Sequence, residues 1–109
     1  MKKNNLPYVS YEEEQIREFR EDPERAMEYL NACVEVAFEE NEPELVLNAL
    51  AVIAKAYGIT KLAKKTHIQR ESIHRMFSKG GNPEWKSIFK MFRALKIRMK
   101  LEFLNPLVV

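Results

Sequence analysis

Apolar residues recur along most of this chain at steps of three and four, and the pattern breaks only near its end. Ser10-Tyr-Glu-Glu13 has the spacing of a capping box and opens a short acidic helix to about Phe19. A longer helix follows: Asp22 is placed to cap it, Pro23 lies in its first turn, and Ala26, Tyr29, Leu30, Cys33, Val34, Ala37 and Phe38 mark one buried face. Pro43 begins a third, whose Val46, Leu47, Ala49, Leu50, Ile53, Ala54 and Tyr57 are apolar over more than half the circumference. That helix is expected at the centre of the core, with Gly58 ending it as a left-handed cap. Asn82-Pro83 starts a last helix carrying Trp85, Ile88, Phe89, Phe92 and Leu95. Then the period changes. Ile97, Met99, Leu101 and Phe103 alternate with Arg98, Lys100 and Glu102, the two-residue repeat of a half-buried strand.

Between Gly58 and Pro83 the pattern reads as two short helices joined by a tight turn, the plan of a DNA-binding helix-turn-helix. Small Ala63 beside Leu62 lets the second helix cross the first closely, and Ile68 plugs the turn. A helix from about Gln69 puts Ile73, Met76 and Phe77 on one apolar stripe and turns Arg70, Glu71, Ser72, His74 and Arg75 outward. Arg70 and Arg75 are placed for base edges, with Glu71 and Ser72 near the bases or the backbone. His74 is open to a phosphate, a base or solvent alone. Lys61, Lys64, Lys65, Lys79 and Lys86 lie on the preceding helix, in the loop and at the next helix start, positions suited to phosphates. The plain alternative is an αα-hairpin with a solvated basic face. The expected fold class is all-α, a helical bundle containing a lambda-repressor-like helix-turn-helix, with a short C-terminal β-strand.

Charge sharpens this division. The 109 residues sum to +2, but Met1 to Glu44 carry a net −8 and Leu45 to Val109 a net +10. Basic side chains gain affinity for a duplex by releasing its condensed counterions, whereas the acidic half would oppose DNA contact and calls for another partner or none. The organisation expected is an acidic N-terminal helical region, 1–42, and a helix-turn-helix region with the C-terminal strand, 43–109, in one compact domain. Cys33 is the sole cysteine, so no disulfide framework is possible, and within an apolar stripe it reads as a small core residue. No signal peptide or membrane-spanning run is legible, and a cytoplasmic protein without membrane contact is expected.

Catalysis finds no footing in the sequence. No nucleophile motif, phosphate-binding glycine loop or metal-ligand spacing joins the Ser, His and acidic residues, and His67 and His74 are the only imidazoles. Gly80-Gly81 reads as a loop element. Glu12, Glu13 and Glu14 fall within one helical turn, where their carboxylates point apart. Neither an enzyme nor a bound cofactor or metal is expected.

A lone strand in a helical chain leaves its backbone unpaired, so its partner is sought outside: the same strand of a second copy, or the sheet edge of another protein. Packing as an irregular tail is the third option. A homodimer is favoured on other grounds too, because two reading helices about 34–36 Å apart engage successive half-sites of a double-stranded operator.

The order Asp22-Pro-Glu24, Tyr29-Leu30, Ala49-Leu50, Ala54-Lys-Ala-Tyr-Gly58, Lys61-Leu-Ala63, Arg70-Glu-Ser72, Gly81-Asn-Pro83 and Arg93-Ala-Leu95 resembles the addiction-module antidote family, the HigA-type antitoxins, from about Tyr11 to Phe103. The resemblance implies a small helical protein that neutralises a RelE/ParE/HigB-like toxin, a small basic protein encoded beside it, and represses its own operon. Two positions depart from the family pattern: His67 stands where the turn usually has Gly, and Lys96 where Gly commonly follows the last helix. His tolerates positive φ, so His67 is expected to hold the turn under some strain. A stand-alone, phage-like regulator and a pure interaction module that no longer reads DNA are the competing functions. Under the antitoxin reading, Tyr8 to Phe38, with or without the strand, forms the inhibitory contact, and deletion up to Asp22 is expected to spare operator binding.

Overall fold

The computed structural model describes residues 10–105, which form six helices. In α1 (Tyr11–Glu21) the capping box is complete: the Glu13 backbone N–H donates to Ser10 Oγ and the Ser10 N–H to Glu13 Oε1, both at 3.1 Å. These bonds hold the Glu13 carboxyl below its ordinary pKa, the Ser10 backbone N–H contributing most. Helix α2 (Pro23–Glu40) follows after Asp22, whose side chain makes no capping bond; Pro23 starts the helix, and Asn41 ends it in the left-handed conformation.

Along α2 the buried line runs through Ala26, Leu30 and Ala37, and the expected burial of Phe38 is corrected, for it is 83% exposed. Seven residues make almost two full turns, so Ala37 stays in line with Leu30. The eighth step carries Phe38 about 80° past it. Helix α3 (Glu44–Tyr57) is the central helix that its apolar circumference predicts, with Ala49, Leu50 and Ala54 essentially without solvent contact.

Gly58 closes α3 at φ 114°, ψ 113°, a positive φ as expected but outside the left-handed helical region. This one-residue corner bends the path by 99° into α4 (Ile59–Thr66). Only glycine enters that conformation without strain. Helix α5 spans Arg70–Met76, with Gln69 as its N-cap residue, and α6 spans Trp85–Ala94, two residues beyond the expected Pro83 start. On α6 the buried residue is Met91, while Trp85 (60% exposed) and Phe89 lie outside the core with ring centroids 6.0 Å apart.

Two apolar clusters result. Phe19, Ala26, Leu30, Ala49, Ile53 and Ala56 join α1, α2 and α3; Ala54, Leu62, Ile73 and Met91 join α3 to α4, α5 and α6. Helix α3 alone packs against both groups of helices, and Leu95 touches both clusters. The acidic layer of α1 and α2 carries ten carboxylates against three arginines, whereas α4, α5 and α6 carry eight Lys and Arg against Glu71.

The expected C-terminal strand is not formed. Ile97 to Phe103 has neither helix nor ladder, and the described residues contain no strand. A ladder needs a second extended segment, and the rest of the described chain is helix and turn. No single helix among them is long and apolar enough to cross a membrane.

Candidate nucleic-acid interface

Helices α4 and α5 are held in register by a small number of buried groups. Leu62 and Ile73 are without solvent contact, Ala63 and Ile68 pack beside them, and Thr66 is buried at the end of α4. The Thr66 hydroxyl donates to the Leu62 carbonyl at 2.8 Å and accepts the Ile68 N–H at 3.2 Å. One side chain thereby satisfies a carbonyl of the first helix and an amide of the turn, fixing where the second helix starts. His67, between them, adopts φ 61°, ψ 27°, the left-handed conformation expected of it, and donates its N–H to Ala63 at 2.9 Å. Sequence reasoning passed over Thr66; its signal was a hydroxyl one residue before a left-handed cap.

With Ile73 inside, α5 exposes Arg70, Glu71, His74 and Arg75 and leaves Ser72 half-buried. Arg75 Nη2 donates to Ser72 Oγ at 3.2 Å, so these two candidates are brought together, while Arg70 and His74 make no such side-chain contact among the described residues. After α5 the chain folds back on its end: Ser78 Oγ donates to the Arg75 carbonyl at 2.8 Å and the Gly81 N–H to the Ser78 carbonyl at 2.8 Å. A Cβ on Gly81 would lie 2.5 Å from the Arg75 and Met76 carbonyl oxygens, which explains glycine there. The shallow cleft between this loop and α6 gathers Ser72, Arg75 and Lys79.

The lysines divide into groups. Lys61 Nζ lies 4.5 Å and Lys65 Nζ 5.9 Å from the Tyr57 ring centre, so one aromatic ring is within cation–π range of both ammonium groups. Lys64 and Lys86 are exposed on α4 and in the first turn of α6, away from that ring. A second cleft lies between the ends of α4 and α6, where Lys65 and His67 meet Lys90, Arg93 and Lys96. Those last three are additions to the sequence reading. Lys86, Lys90 and Arg93 fall at i, i+4 and i+7, a basic stripe that the spacing alone could have shown.

The acidic side is organised differently. Glu12 pairs with Lys55 on α3, Glu13 caps α1, and Glu18 bonds Arg25 Nη2 at 3.0 Å, so the run Glu12-Glu13-Glu14 is not a ligand cluster. No group of three metal-ligating side chains converges among the described residues. Glu14, Glu18, Glu21 and Glu28 line an open groove between α1 and α2 with Tyr11 and Tyr29. Burial pushes the Tyr29 phenol above its ordinary pKa.

Compared with known proteins, residues 10–103 match a family described as probable addiction module antidote protein. A relative in Haemophilus influenzae, described as an uncharacterized protein, is 31% identical over 74 residues, 68% of this chain and 72% of the relative. No solved structure matches.

Proposed function

The chain belongs to the family of probable addiction module antidote proteins, and from that premise we propose that it is the antitoxin of a type II toxin-antitoxin module that also represses its own operon. An antidote implies a toxin as partner and a regulatory rather than enzymatic role. The finer reading is that α4 and α5 act as a helix-turn-helix on double-stranded operator DNA in the cytoplasm, two copies reading two half-sites. The observation that carries it is α5 itself. Its buried Ile73 docks the helix, its outer face presents Arg70, Glu71, Ser72, His74 and Arg75, and lysines flank it on both sides.

In this reading Arg70 and Arg75 address base edges, while Lys61, Lys64, Lys65, Lys79 and Lys86 address phosphates. The acidic region 1–42 serves the toxin and the region 43–109 serves DNA. Opposite charge would speed encounter between the α1 and α2 layer and a basic toxin of the RelE/ParE/HigB-like kind. Tyr8 and Val9 of the inhibitory region lie outside the described residues.

The test is co-expression with the small basic reading frame beside the gene, pull-down, and a mobility-shift assay on the operon's upstream DNA. Capture of the neighbour together with a sequence-specific shift is expected. A shift without capture would assign the chain to the stand-alone regulators, and capture without a shift would leave only the interaction module.

A further inference from the structure

The last of the described residues form an apolar edge that no other described residue covers. Ile97 still packs against the cluster of α1, α2 and α3, but beyond it Met99, Leu101 (85% exposed) and Phe103 (67% exposed) stand in solvent at every second position. Arg98, Lys100 and Glu102 occupy the positions between. Such alternation has no use in an irregular tail. We infer that this segment is completed by the same segment of a second copy, the two pairing antiparallel with Leu101 facing the partner's Leu101 across the two-fold axis.

The register follows from chemistry. In an antiparallel pair, residues directly opposite share a face, so any register that sets an odd residue against an even one would place apolar side chains beside charged ones. Among the remaining registers, an axis at Lys100 faces that ammonium with its own copy, and an axis at Met99 sets Arg98 against the partner's Lys100. An axis at Glu102 faces two carboxylates. Of the axes from Met99 to Glu102, that at Leu101 alone is free of like-charge conflicts at the centre: Met99 lies against the partner's Phe103 and Lys100 against the partner's Glu102, each twice by symmetry. A two-stranded ribbon alone is marginal in water. Here Ile97 ties each strand to its own core, so the ribbon's apolar face continues a packed surface.

This inference deepens the dimer reading above and is tested separately from DNA and toxin binding. The full-length protein is examined by sedimentation equilibrium, with charge variants on the exposed edge that leave the core untouched. Lys100→Glu or Glu102→Lys alone should weaken the dimer about tenfold, by setting like charges opposite at two places. The doubly exchanged Lys100→Glu, Glu102→Lys protein should dimerise as the natural chain does. Directly opposite residues bring their Cα atoms to about 4.5–5.5 Å, within disulfide range, so Leu101→Cys in a Cys33→Ser background should cross-link to a covalent dimer on mild oxidation. A monomeric natural protein, or a dimer indifferent to the single charge changes, would overturn the pairing, the latter leaving a dimer through another surface. Unchanged dimerisation with lost capture of the toxin would reassign the edge to the toxin.

Discussion

Arg70 occupies the first position of α5, exposed and free of the bond that ties Arg75 to Ser72. Arg70→Ala should therefore cost about 1–3 kcal/mol on the cognate operator and relax base preference at one position, as read by fluorescence anisotropy against a panel of single-base variants. Lys64→Ala is the control of opposite character: it should weaken all sequences alike and lower the salt slope by about one. Equal losses for Arg70→Ala on every sequence would reduce it to a phosphate contact. A second prediction concerns the backbone. His67 and Lys96 both adopt positive φ, 61° and 60°, and Lys96 completes a Schellman end to α6, its N–H bonding the Arg93 carbonyl and that of Ile97 the Phe92 carbonyl. A left-handed non-glycine residue costs about 1–2 kcal/mol, part of which glycine returns as entropy of the unfolded chain. His67→Gly and Lys96→Gly should each stabilise by about 0.5–1 kcal/mol in urea unfolding. No gain would mean that the side chains make compensating contacts.

The helices themselves were legible because each combined a start signal with a three-and-four repeat: Ser10 and Glu13 for α1, Pro23 for α2, the apolar circumference of α3. What escaped were features decided between elements. Phe38, about 80° off the buried line of α2, and Phe89, beside the Trp85 ring, lie outside the core, and the hydroxyl of Thr66 matters only because α5 begins beside it. The strand failed to appear for the same reason, since a ladder belongs to two segments and the alternation of one cannot supply the other. The outward face of α5 was read from Ile73, Met76 and Phe77 alone, whereas the grouping of Lys65 with Lys90, Arg93 and Lys96 required the crossing of α4 and α6. For α1 the prediction is direct. Ser10→Ala should cost about 1 kcal/mol and reduce helicity. Because the Glu13 carboxyl is held below its ordinary pKa, its support is full above the unfolded value and fades as the pH falls through the lower folded one. Circular dichroism of the natural protein should lose helix in that acidic window, and Glu13→Gln should lessen the dependence.

At the scale of the whole molecule the acidic layer is not an appendage. Phe19 is buried beneath α3, and Arg20 closes the end of that helix, its Nε donating to the Ala56 carbonyl at 2.8 Å and Nη2 to the Lys55 carbonyl at 3.2 Å, just before the corner into α4. Deletion up to Asp22, which the sequence suggests as a clean way to separate toxin from DNA binding, would uncover the core and release the helix that positions α4. Charge reversal on the exposed carboxylates of the α1 and α2 groove is the better instrument. The segregation of charge into two layers with α3 between them also makes each molecule a large electric dipole. The positive layer of one copy then attracts the negative layer of the next, and a head-to-tail contact of that kind does not close on itself. Lowering ionic strength lengthens the range of this attraction from about 8 Å at 0.15 M salt to about 30 Å at 0.01 M. Dilution into low salt should accordingly turn the solution turbid, and added salt should clear it again, which light scattering would record. The same protein saturated with operator DNA should stay clear, its positive pole being occupied.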